Sequence, residues 1–222
     1  MKYRIFLFFI VLLVGFLGFS SGGRGQENKT EGEVIQAARE GLPEFLENIP
    51  AKEIAYYGFQ SPEELSQTEL GAPFRIYTIL PDELEAFGFQ SPFGDILRET
   101  PNWYVPILVK GKRRALLTVA PMEGRLETVG LSGAGLASEL EDFYTRLPEK
   151  LQLAGITGDC SLRFVRIFQA TSDFMLLQTE TEEYIEPFRS AQNSLGLKQE
   201  GLKSLLEFIP RLKIRVKTNL RF

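Results

Sequence analysis

Trp103-Tyr104-Val105-Pro106-Ile107-Leu108-Val109 and Arg114-Ala115-Leu116-Leu117-Thr118-Val119 flank the short linker Lys110-Gly111-Lys112. Two apolar, β-branched and aromatic runs joined by a turn that contains glycine predict a β-hairpin. Working outward, Phe74-Arg75-Ile76-Tyr77-Thr78-Ile79 reads as another strand, and Leu126 to Val129 as a further one. Gly130 to Gly135 then turns the chain into a helix carrying Leu136, Leu140, Phe143, Tyr144 and Leu147. Beyond the loop at Gly155 to Gly158, strands are expected at Leu162 to Phe168, Phe174 to Thr179 and Tyr184 to Pro187.

The flanks are helical on one side and mixed on the other. Val34, Ile35, Ala38, Leu42, Phe45, Leu46 and Ile49 gather on one helix face, with Pro43 expected to kink or split the helix. Gly201 to Ile209 predicts a short helix, and Arg211 to Phe222 alternates like an extended strand. Hairpins outnumber strand-helix-strand units. The expected fold is therefore α+β, a mostly antiparallel sheet of about six to seven strands with packed amphipathic helices.

A five-residue echo lies within this frame. Gly58-Phe59-Gln60-Ser61-Pro62 returns as Gly88-Phe89-Gln90-Ser91-Pro92, each after an aromatic residue. Both copies predict a serine N-cap with proline at the first helical position. In the first, Glu64 would complete a capping box with Ser61. Similarity fades past the proline, so two like helix starts are expected, with a paired recognition loop of exposed aromatics as the alternative.

The first residues carry an address. Lys2 and Arg4 precede an apolar run from Ile5 to Phe19, and Ser20-Ser21-Gly22-Gly23 follows. A positive start, an apolar middle and small residues after it predict a secretory signal over residues 1–22. A helix of that run spans roughly 22 Å at ~1.5 Å per residue, short of a ~30 Å hydrocarbon core. The expected location is secreted or periplasmic; the alternative is an uncleaved membrane anchor. Residues 23–31 read as a flexible tail and 32–222 as one globular domain.

Composition narrows the chemistry. The 222 residues hold 25 Lys and Arg against 29 Asp and Glu, a formal charge of -4 that argues against nucleic acid as a partner. There is no histidine, which removes Ser-His-Asp and Cys-His catalysis and histidine-based metal sites. Cys160 is the only cysteine, so no intrachain disulfide forms; it reads as a buried apolar side chain rather than a nucleophile. Gly130-Leu131-Ser132-Gly133-Ala134-Gly135 lacks the order of a dinucleotide loop and is followed by no Walker lysine. No cofactor and no metal are expected.

Two charged stretches remain. Glu180, Glu182, Glu183 and Glu186 form an acidic run that reads as a solvated face. In an extended chain Arg211, Lys213, Arg215 and Lys217 share one face, with Leu212, Ile214 and Val216 on the other. That face is the candidate binding site: an edge strand protected by its charges, or a cationic stripe for an anionic surface or a protein. The expected function is a non-catalytic exported binding or interaction domain. The alternatives are an extracytoplasmic hydrolase working through carboxylates, and a membrane-surface protein that uses the basic C-terminal strand.

Overall fold

The computed structural model describes residues 24–197 and 201–220, so the expected signal lies outside the described residues. The chain divides after Glu33, and the sheet with its packed helices belongs to Val34 onward. The strands are β1 (Thr68–Leu70), β2 (Phe74–Thr78), β3 (Arg98–Val109), β4 (Lys112–Met122), β5 (Arg125–Ser132), β6 (Ser161–Ile167), β7 (Ser172–Gln178), β8 (Glu183–Pro187) and β9 (Lys203–Ser204). The helices are α1 (Arg24–Glu47), α2 (Pro81–Ala86), α3 (Ala134–Leu153), α4 (Arg189–Leu195) and α5 (Leu205–Asn219).

All nine strands join one sheet in the order β5-β4-β3-β2-β6-β7-β8-β9, with β1 also on β3. The fold is α+β with a large, mostly antiparallel sheet, and has more strands than expected because β1 and β9 are too short to show a period. Among the described residues only β2 and β6 run parallel, through Ile76 with Phe164 and Tyr77 with Val165. The predicted hairpin is β3-β4, closed at Val109 and Lys112. Its turn residues Lys110 and Gly111 both have positive φ, 51° and 74°, the conformation that matches strand twist in a two-residue loop.

The two sheet faces are built differently. On one, Tyr104, Leu116, Phe164, Met175 and Leu177 pack under Ala137, Leu140 and Phe143 of α3 in a single apolar cluster. The other carries two clusters. Trp103, Val105, Ile107, Leu117 and Val119 lie with Val34 and Ala38 of α1. Val165, Phe174, Leu176 and Ile185 lie with Leu84 of α2 and Phe208, Ile209, Leu212 and Val216 of α5. Between them runs a polar strip, where Arg75 pairs with Glu99 at 2.6 Å and sits 4.3 Å over the Trp103 ring.

Four expectations are corrected. Of the kink or split expected at Pro43 the split is overturned, since helix α1 runs through Pro43 and begins at Arg24, ahead of its apolar face. Proline removes one backbone hydrogen bond, and the cluster held by Val34, Ala38, Leu42, Phe45 and Leu46 keeps the helix intact. Glu64 forms no capping box with Ser61. Its carboxylate accepts the Gln60 N–H at 2.7 Å and pairs with Arg114 at 2.9 Å. In the second copy of the echo, Pro92 rather than Ser91 precedes the helical turn Phe93–Ile96. The largest correction is at the C-terminus. Gly201 to Ile209 is not a helix of its own, and Arg211 onward is not a strand: α5 runs from Leu205 through Pro210 to Asn219. Phe208, Ile209, Leu212 and Val216 are all buried, and their spacing of one, three and four is helical.

Candidate functional site

Helix α3 lays its apolar side on the sheet and leaves a polar flank beside it. Glu139, Asp142, Phe143, Arg146 and Lys150 recur at spacings of three, one, three and four, so they share that flank. Facing them is the end of β8. Period two turns Tyr184 and Glu186 toward α3 and Ile185 toward the opposite cluster. The chain then enters α4, bringing Arg189 and Gln192 to the same place. Together with Pro187 and Phe188 these side chains line a pocket of about 100 Å³.

The pocket is ordered by short polar contacts. Lys150 Nζ donates to Glu186 Oε1 at 2.6 Å, and the Arg189 N–H donates to Glu139 Oε2 at 2.6 Å. Gln192 Nε2 donates to the Pro187 carbonyl at 2.9 Å. Phe143 and Phe188 meet edge to face at 6.2 Å. Three cations and three carboxylates line the space, so its charge balances, with Lys150 and Glu186 in direct contact.

Glu186 is the unusual member. It is only 6% exposed, and its second oxygen, Oε2, is buried with no hydrogen-bond partner. The other buried carboxylates have both oxygens engaged. Glu64 uses its two on Gln60 and Arg114. Asp173 takes a two-pronged contact from Arg166 at 2.6 and 2.9 Å, with Ser190 Oγ donating at 3.1 Å. A buried acceptor left empty costs ~1–3 kcal/mol, more when charged. Glu186 is therefore a buried carboxylate of the pocket lining, held by Lys150 through one oxygen while the other is enclosed without a partner.

On the same face of the sheet, buried Tyr104 receives a hydrogen bond from Arg166. Burial, opposed by the Arg166 charge, pushes the Tyr104 hydroxyl above the usual phenol range. The hydroxyl stays protonated at neutral pH and serves to position Arg166 and Asp173 behind α4.

The cationic residues singled out in the sequence fall apart on the helix. At 100° per residue, Arg211 and Arg215 share one side of α5, and Lys213 and Lys217 lie nearly opposite. Arg211 donates to the Leu195 and Gly196 carbonyls at 3.4 and 3.3 Å, where α4 ends. Lys213 donates to the Glu85 and Phe87 carbonyls at 3.0 and 2.6 Å, where α2 ends. Both satisfy carbonyls that a helix leaves open. Lys217 lies 3.6 Å from Glu85, and Arg215 is half-buried. No single stripe is formed.

The other motifs resolve structurally. Glu183 accepts the Phe93 and Gly94 N–H groups at 2.6 and 2.8 Å, so half of the acidic run is committed to the fold and only Glu180 and Glu182 are exposed. The glycine-rich turn before α3 is covered: Ala134 N–H donates to the Tyr56 carbonyl at 2.9 Å. Cys160 is half-buried, and burial together with Asp159 pushes its thiol up, away from the reactive thiolate. Among the described residues, no three Cys, Asp or Glu side chains cluster as a metal site, and no helix is long and apolar enough to cross a membrane.

Glu139, Glu186 and Lys150 were not distinguishable in the sequence. The one available signal was that Glu186 stands between Ile185 and Pro187 in a strand, where a carboxylate is out of place unless it has a partner. In comparisons with protein-family models, curated proteins and solved structures, nothing matches this chain.

Proposed function

We propose that the chain is exported and acts outside the cytoplasm as a non-catalytic binding domain, with the pocket between α3, β8 and α4 as its ligand site. The observation that carries the site is the polar pocket itself, in whose lining a buried Glu186 is held by Lys150 at 2.6 Å. The export reading rests on the positive start and the apolar run Ile5 to Phe19. Binding is favoured over hydrolysis by how the carboxylates are held. Carboxylate hydrolysis uses one group as acid and another as base or nucleophile. Here Glu186 is tied to Lys150 and Glu139 to the Arg189 amide.

The test has two parts. Mass spectrometry of protein taken from the envelope or medium should find an N-terminus near Gly22; intact protein starting at Met1 in the cell interior overturns the location. Thermal unfolding of the purified protein is then followed with panels of small amino acids, amines, carboxylates and monosaccharides. One class, at a hundred times its Kd, should add ~2.7 kcal/mol, a rise of about 5–10 °C for a chain this size. The rise, measured from each variant's own baseline, should vanish in Glu186→Gln. No rise with any class overturns the site, and turnover of a bound compound overturns the non-catalytic reading.

A further inference from the structure

Independently of the pocket, we infer that the outer side of α5 docks on an anionic lipid surface. An apolar ridge enters the headgroup layer, and cations on both flanks meet lipid phosphates. The ridge comes from the helix period. Leu206, Pro210 and Ile214 recur every four residues on a side turned away from buried Phe208, Ile209, Leu212 and Val216. Leu206 and Ile214 are 71% and 68% exposed. Leu220, the exposed cap of α5, adds an apolar side chain in the groove against α2 that Pro81, Lys213 and Lys217 also line.

The charge lies on either side of that ridge. At ~100° per residue, Ile214 stands between Arg211, about 60° to one side, and Lys217, about 60° to the other. From Lys203 to Arg221 six cations meet a single carboxylate, Glu207, in a chain whose formal charge is -4. Arg211 and Lys213 donate to main-chain carbonyls, which orders them without cancelling their charge. Lys217 faces Glu85 at 3.6 Å with both side chains more than half exposed, a pair that is weak in water. An apolar ridge between cationic flanks suits a helix lying in a membrane interface. A nucleic acid would meet the cations but leave Leu206 and Ile214 in water. A second copy would cover the ridge but set like charges against each other.

Vesicles of phosphatidylglycerol with phosphatidylcholine, and neutral vesicles of phosphatidylcholine alone, test this on the full chain. A polarity-sensitive fluorophore is attached at Ile214→Cys or at Leu153→Cys, both in a Cys160→Ser background. Leu153 is exposed at the end of α3, on the other face of the sheet. The run Ile5 to Phe19 can hold the chain on vesicles by itself, so the position of the probe gives the answer. The probe at 214 should shift to shorter wavelength on anionic vesicles while the probe at 153 stays put. Salt at ~0.5 M should reduce the shift, because screening then acts within roughly 4 Å. Followed by the 214 probe, Lys217→Gln should weaken binding about fivefold, and Leu206→Asp tenfold or more. Both positions are exposed, and unchanged circular dichroism shows that the variants fold. A 214 probe that is silent on anionic vesicles, or shifts equally on neutral ones, overturns the proposal. A shift that survives Leu206→Asp also overturns it, since only charge contact is then left. So does an equal shift on duplex DNA, which would assign the flanks to a nucleic acid.

Discussion

Gly58 and Gly88 stand in the same five-residue sequence, yet the fold asks different things of them. Gly58 has φ of +88°, and a Cβ there would press into the Arg114 carbonyl oxygen. Gly88 has no positive φ, and a Cβ would meet only the movable end of Gln90. In the second copy the positive φ passes to Phe89, at 65°. Burial reverses with it: Phe59 is 1% exposed and Phe89 is 42% exposed. Gly58→Ala should therefore cost at least ~2 kcal/mol, from strained backbone and a clash with main chain, whereas Gly88→Ala should stay within about 1 kcal/mol. Urea midpoints of the two variants check this, and equal shifts would refute it. The five shared letters fix the chance of a turn. What fixes each φ is the neighbour the turn packs on, here the Arg114 main chain for one copy, and that neighbour is distant in sequence. Glu186 illustrates the same limit. Four glutamates within seven positions read alike until the alternation of β8 and the flank of α3 decide which of them meets Lys150.

At the scale of elements, the β3-β4 hairpin, β5 and α3 were legible because each has one strong period and clear punctuation. Helix α5 was not, because its sequence satisfies two periods at once. Leu212 and Val216 belong to the inward face of either a strand or a helix, and Pro210 reads as a stop. Ile214 decides between the two: a strand would bury it with its neighbours, whereas α5 leaves it 68% exposed and Leu212 fully buried. The candidate stripe was an artefact of the same choice, since cations at every second residue align only in extended chain. Leu212→Ala is expected to cost ~2–5 kcal/mol by opening a cavity under α5, and Ile214→Ala no more than ~0.5 kcal/mol. Chemical denaturation of the pair gives the answer. Comparable losses at the two positions would restore the strand.

The molecule as a whole is a sheet with one continuous apolar face and one divided face. On the divided side, the α1 cluster and the α2-α5 cluster are separate, and Arg75, paired with Glu99, lies over the Trp103 ring of the α1 cluster. The two sides of the sheet are joined by the short β2-β6 pairing and by the cluster under α3, where Tyr104 and Leu116 meet Phe164 and Met175. An α+β sheet was readable from the sequence, but this division was not, because it depends on which strands lie side by side across the middle. If the α3 cluster couples the halves, unfolding is a single cooperative transition. Trp103, the only tryptophan, reports from the α1 cluster, while Leu176 is fully buried in the other. Leu176→Ala removes ~2–5 kcal/mol of packing, which lowers Tm by about 4–20 °C at this chain length. Because the coupling runs through α3, Trp103 fluorescence should follow the fall in step with the far-ultraviolet circular dichroism, although the mutated side chain lies in a separate cluster. A tryptophan transition that stays in place while the dichroism moves would mean that the parallel pairing and the α3 cluster do not bind the halves together.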